Sequence, residues 1–185
     1  MKKVPLFFLL LLLFLYAPEG QSADAPWFAT AYYGIHSTEN LGDTMAFKRI
    51  DTNRFAGLGL GRDILSGKLF SLEAEAMFLE HYGGNGRYAE FVLALGLRYH
   101  YFPWDRYVKT TLAVFDGPSY ATRQIRDENQ YWLNFIGFEL TLGCPQWDYL
   151  TLVGRIHHRS GGDNYVHNGA RGDSNFYTLG LRYRF

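Results

Sequence analysis

Tyr177-Thr178-Leu179-Gly180-Leu181-Arg182-Tyr183-Arg184-Phe185 ends the chain in strict alternation. Tyr177, Leu179, Leu181, Tyr183 and Phe185 share one parity, and Thr178, Gly180, Arg182 and Arg184 share the other. Successive side chains of a strand point to opposite faces, so a period of two predicts a two-faced strand. One face is aromatic and aliphatic, while the other carries two arginines. Apolar side chains outside and polar ones inside define a barrel wall set in a membrane.

The same alternation recurs upstream. Leu150, Leu152 and Ile156 oppose Thr151, Arg155 and Arg159. Ile136, Phe138, Leu140 and Leu142 oppose Glu139 and Thr141. Leu112 and Val114 oppose Lys109 and Thr111, and Leu93, Leu95, Leu97, Tyr99 and Tyr101 oppose Ala94, Gly96, Arg98 and His100. Leu72, Ala74 and Ala76 oppose Ser71, Glu73 and Glu75. A Gly-rich segment sets Leu58 and Leu60 against Gly57, Gly59 and Gly61, and Trp27 to Ile35 is the first strand. The expected fold is all-β: an eight-stranded antiparallel transmembrane β-barrel with short periplasmic turns and longer extracellular loops. The short turns fall at Ser66-Gly67, Pro103-Trp104-Asp105 and Pro145-Gln146-Trp147. The longer polar connections run from Ser37 to Asn53, Tyr82 to Tyr88, Arg123 to Gln130 and Gly161 to Ser174. An even strand count puts both termini in the periplasm. The terminal Phe185 resembles the signature read during assembly of bacterial outer-membrane barrels.

Composition agrees with this reading. Aromatic residues make up 18% of the chain, with 14 Tyr and 15 Phe, as the aromatic girdles of a membrane barrel require. Trp27, Trp104, Trp132 and Trp147 read as interface anchors. The formal net charge is zero, which gives no electrostatic case for a nucleic-acid partner. Lys2 and Lys3 precede the apolar run Val4 to Leu15, and small residues follow at Ala17, Gly20, Ser22 and Ala23. That is the layout of a secretory signal peptide, expected over residues 1–23, with a single barrel domain over 24–185. The one cysteine, Cys144, has no partner for a disulfide.

The inward parity collects Glu73, Glu75, Glu139, Arg98, Arg155, Arg182, Arg184 and Lys109. Eight strands leave room inside only for side chains, so these charges are expected to fill the lumen as an ion-pair network rather than line a pore.

One pattern exceeds what folding requires. His158 and Ser160 share the outward parity of Leu150, Leu152 and Ile156. A serine hydroxyl needs an adjacent base to accept its proton, and histidine serves near neutral pH. The imidazole in turn needs a third group to fix its tautomer. Asp173, outward on the last strand, is the expected third member, with Asp163 in the intervening loop as the competitor. Gly161 and Gly162 follow the serine directly and let backbone N–H groups approach a developing oxyanion. The bland alternative is polar residues at the lipid headgroup level. His36, His81, His157 and His167 also gather near the external end, but they lack metal-ligand spacing, so neither a metal nor another cofactor is expected.

The segment Arg155-Ile156-His157-His158-Arg159-Ser160-Gly161-Gly162, then Gly172-Asp173-Ser174-Asn175-Phe176-Tyr177 and the ending Arg182-Tyr183-Arg184-Phe185, resembles the lipid A 3-O-deacylase family of outer-membrane barrels. The resemblance covers roughly the last thirty residues. It implies a metal-independent serine esterase with a lipid-facing site, hydrolysing the ester-linked 3-hydroxyacyl chain at position 3 of lipid A. Ser160 would be the nucleophile and His158 the base. The family acid is typically a Glu about a dozen residues after the Ser; here Asp173 is the nearest carboxylate. The family often has Asn directly after the Ser as an oxyanion donor; here that position is Gly161, with Asn164 or a backbone N–H as the substitute. The expected location is the bacterial outer membrane. The expected partners are lipid A or lipopolysaccharide as substrate, outer-membrane lipid, the barrel assembly machinery and a second copy in a homodimer. The rival expectation is a non-enzymatic small barrel with a structural or adhesive role.

Overall fold

A computed structural model describes residues 26–39, 41–44, 49–84, 86–124, 131–147, 149–161 and 173–185. The expected signal peptide, Asp163, Asn164, Gly162 and His167 lie outside the described residues. The strands are β1 (Trp27–Ser37), β2 (Ile50–Ser66), β3 (Phe70–Tyr82), β4 (Tyr88–Tyr99), β5 (Lys109–Ala121), β6 (Trp132–Gly143), β7 (Leu150–Ser160) and β8 (Asp173–Arg184). One helical turn, α1 (Leu41–Thr44), interrupts the connection after β1. Each strand pairs antiparallel with its sequence neighbour, and β8 returns to β1, closing the barrel. Trp27 and Phe185 exchange backbone hydrogen bonds of 3.2 and 2.9 Å at the seam.

The parities read from the sequence are those of the wall. Leu58, Phe78, Phe91, Leu97, Val114 and Leu179 are among the exposed apolar side chains of the outer face. Water would penalise so large an apolar surface, whereas hydrocarbon does not. Closure removes the unpaired edges that a bilayer cannot hydrogen-bond.

The inner face is a packed ionic core. Glu139 meets Arg98 at 2.6 Å and Arg182 at 2.9 Å, and also pairs with Arg155. Glu73 holds Arg98 at 2.6 Å, while Glu75 holds Arg155 at 2.7 Å and the Tyr32 hydroxyl at 2.6 Å. Above this layer lie Phe55, Phe115, Phe135 and Phe176, all fully buried. Nearer the long connections, Glu90 accepts from Ser119 at 2.7 Å and pairs with His81 at 2.7 Å and His157 at 3.0 Å. Lysine is the exception: Lys109 sits at the first residue of β5 and is exposed there. The strands meet closely where side chains are missing; a Cβ on Gly57 would fall 2.2 Å from the Phe78 carbonyl oxygen. That contact explains the small residue, because only glycine leaves room for the neighbouring backbone.

Candidate functional site

The site is built by register. Ser37 of β1 pairs with Asn175 of β8, Asn175 with His158 of β7, and His158 with Ile136 of β6. One row further, Asp173 pairs with Ser160, and Ser160 with Asn134. Residues directly opposite in an antiparallel ladder share a face, so all of these project from the outer wall. His158 and Ser160 are on the face expected for them, two residues apart, or roughly 7 Å along the strand. No hydrogen bond joins them in this structure.

Asp173 differs from expectation. It stands opposite Ser160 and is exposed, whereas Asn175 takes the place opposite His158. Parity puts both residues outward; the register of β7 on β8 decides which one meets the imidazole. Asn175 Oδ1 lies 2.7 Å from His158 Nδ1. The asparagine is clamped from its other end, where Nδ2 donates to the Glu39 backbone carbonyl at 2.9 Å. A carbonyl only accepts, so the amide orientation is fixed and Oδ1 must face the ring. Asn175 Oδ1 has no proton to give; His158 Nδ1 therefore carries the hydrogen, and in the neutral ring Nε2 keeps its lone pair. This is the tautomer a general base needs.

The clamp has its own support. Ser37 Oγ accepts from the Glu39 N–H at 3.3 Å and from the Thr44 hydroxyl of α1 at 3.4 Å, which holds the connection after β1 against the wall. His158 and Asn175 are buried on this outer face, and Ser160 is half-buried. Gly161, directly after the serine, is buried at the end of β7.

Behind this row, the inward residues of the same strand are held tightly. His157 pairs with Glu90, and Arg159 Nε donates to Ser119 Oγ at 2.8 Å. The alternating chain thus anchors β7 on the lumen side while presenting His158 and Ser160 on the other. Below them, Gly154 leaves a gap in the apolar wall, bordered by Phe138, Leu140, Ile156, Tyr177 and Leu179. A Cβ there would meet nothing closer than the Leu140 carbonyl oxygen at 3.9 Å.

Sequence reasoning missed Asn175, Ser37 and Asn134. Each interrupts an apolar parity, and that interruption is the signal that could have found them.

No protein-family model and no curated protein sequence matches the chain. Solved structures do. The outer membrane enzyme PagL matches with a TM-score of 0.59 at 12% identity, over 85% of this chain and 99% of that one. Neisserial surface protein A (NspA) matches with a TM-score of 0.55 at 10% identity, over 86% of this chain and 96% of that one. These likenesses are of fold.

Proposed function

We propose that this barrel resides in the bacterial outer membrane and is a serine esterase that removes an ester-linked 3-hydroxyacyl chain from position 3 of lipid A. The observation that carries the reading is the fixed tautomer of a histidine that projects from the outer wall two residues from a serine. A wall that only had to face hydrocarbon would need neither group. The resemblance of the last thirty or so residues to lipid A 3-O-deacylases supports the same reading, and the fold shared with the outer membrane enzyme PagL is compatible with it.

In this reading Ser160 Oγ attacks the ester carbonyl while His158 Nε2 takes its proton. The tetrahedral oxyanion is met by the backbone N–H of Gly161. Collapse breaks the ester C–O bond, and the imidazolium gives its proton to the departing sugar oxygen, which leaves as the hydroxyl. Water, deprotonated by the same imidazole, then releases the fatty acid from Ser160. Asn175, rather than Asp173, holds the ring. It fixes the tautomer without adding a negative charge, and Asp173 beside Ser160 contributes its field only.

The test is release of free 3-hydroxy fatty acid from lipid A by the purified protein in detergent micelles. Ser160→Ala is expected to lower that release by at least about a hundredfold, since the covalent step is lost. Unchanged release from the variant would overturn the assignment.

A second reading is a non-enzymatic outer-membrane barrel. The missing hydrogen bond between His158 and Ser160 favours it, and the fold shared with Neisserial surface protein A is compatible with it. It predicts no fatty-acid release by either protein.

A further inference from the structure

The outer wall beside Ser160 carries a second polar feature that the esterase chemistry does not use. Asp116 of β5 and Asn134 of β6 both project from the apolar face, where Asn134 Nδ2 donates to Asp116 Oδ1 at 2.8 Å. Asp116 is exposed and Asn134 half-exposed. Toward the long connections the same two strands carry Tyr120 and Trp132, whose rings meet at 5.0 Å. Outward aromatics of this kind mark the level where hydrocarbon gives way to headgroups. The polar pair therefore lies on the hydrocarbon side of the girdle. Its neighbours on the same face are Val114, Ile136 and Phe138. A carboxylate facing lipid acyl chains is costly, and an intramembrane ionisable side chain that faces outward calls for a polar partner.

Position says what that partner is. Asn134 stands directly opposite Ser160, one strand away. Asp116 stands two strands from His158 in the next row, with Ile136 between them. An acyl chain whose ester carbonyl is at Ser160 and whose tail runs down into the apolar wall passes this pair within its first few carbons. Asn134 donates to Asp116, which leaves a carboxylate oxygen and an amide oxygen as acceptors. The matching group on the ligand is a hydroxyl donor close to the ester.

From this we infer that Asp116 and Asn134 form a specificity subsite that reads the 3-hydroxyl of the acyl chain, an inference that rests on the esterase reading above. The hydroxyl donates to Asp116 Oδ2, and Asn134 holds the carboxylate in place. A site built to hydrogen-bond a hydroxyl discriminates against the analogue lacking it far better than an apolar pocket discriminates by size.

The experiment uses two synthetic glucosamine esters in micelles, one 3-hydroxymyristoyl and one myristoyl, with two readouts. The first is the ratio of kcat/KM for the two esters in the intact protein. The second is the ratio of their affinities for the Ser160→Ala protein, followed by Trp132 fluorescence. The wild type is expected to prefer the hydroxylated ester about tenfold or more in both ratios. Asp116→Leu and Asn134→Leu are expected to bring both ratios close to one. Leucine is what the surrounding wall carries, so folding is not at risk. Equal treatment of the two esters by the wild type, or a parallel loss on both esters in the variants, overturns the inference. So does failure of both esters to bind the Ser160→Ala protein. Preferential binding without hydrolysis of either ester upholds the subsite and overturns the esterase reading instead.

Discussion

Asn175 has one amide and two obligations: its Nδ2 is committed to the Glu39 carbonyl, so its Oδ1 is committed to His158. Replacing it with alanine removes the acceptor, and the imidazole is free to present the wrong nitrogen to Ser160. In the esterase reading, Asn175→Ala is expected to lower kcat for ester hydrolysis by about a hundredfold or more, with KM little changed, because orientation matters most in the transition state. Asn175→Asp keeps an acceptor for Nδ1–H but sets a carboxylate against the Glu39 carbonyl. Partial recovery relative to alanine is the expected outcome, and steady-state kinetics of the two variants side by side checks it. Equal loss in both would show that the amide donor, not the acceptor, matters. At this scale the sequence was only half legible. The outward parity of His158 and Ser160 is written in the alternation, and so is that of Asp173 and Asn175. Which of the last two faces the imidazole depends on strand register across a long connection, and no local pattern encodes it.

Strand β7 shows how an element divides its labour. Inward residues His157 and Arg159 are tied to Glu90 and Ser119, so the strand end cannot slide or twist freely. Outward residues then inherit a fixed position, which is what the proposed catalytic pair would need from its scaffold. Gly154, two turns of the pleat below His158, opens the apolar wall where an acyl chain would lie. Gly154→Ala is expected to be neutral for folding, since its Cβ finds space. Gly154→Phe is expected to fold equally well but to reduce hydrolysis of long-chain esters several-fold while sparing short-chain ones. A series of acyl lengths assayed on each variant reads this directly. Strand ends were the least legible feature of the elements. Alternation marks Val108 to Val114, whereas β5 runs to Ala121 through Asp116, Gly117 and Pro118. Pro118 lacks an N–H, and the β4–β5 ladder skips from Leu95–Asp116 to Val92–Ser119 around it. The other ladder, to β6, continues unbroken from Lys109 to Tyr120 and carries the strand through.

The lumen of the molecule is filled by ion pairs as well as by apolar side chains. Glu139 alone meets Arg98, Arg155 and Arg182 in the lumen. Its removal leaves three guanidinium groups facing one another without their shared counter-ion. Glu139→Ala is expected to destabilise the barrel by about 3–5 kcal/mol, the range for breaking a buried ion pair from one side. Urea unfolding in detergent, followed by the mobility shift of the folded barrel on gels, measures this; Glu139→Gln should fall between the variant and the wild type. The lumen network was legible because eight strands leave no room for water among inward charges of both signs. Its partners were not, since pairs such as Arg155 and Glu75 lie 80 positions apart in the chain.

The seam of the barrel carries a consequence for timing. Ser160 and His158, the proposed nucleophile and base, lie together on β7, but the residue that holds the imidazole is on the last strand, and its clamp is a carbonyl just after the first strand, 136 positions earlier in the chain. An unclosed barrel therefore holds Ser160 and His158 without a fixed tautomer. In the esterase reading, final zippering of β8 onto β1 completes the site, and a chain whose barrel has not closed is expected to hydrolyse esters far more slowly than the closed one.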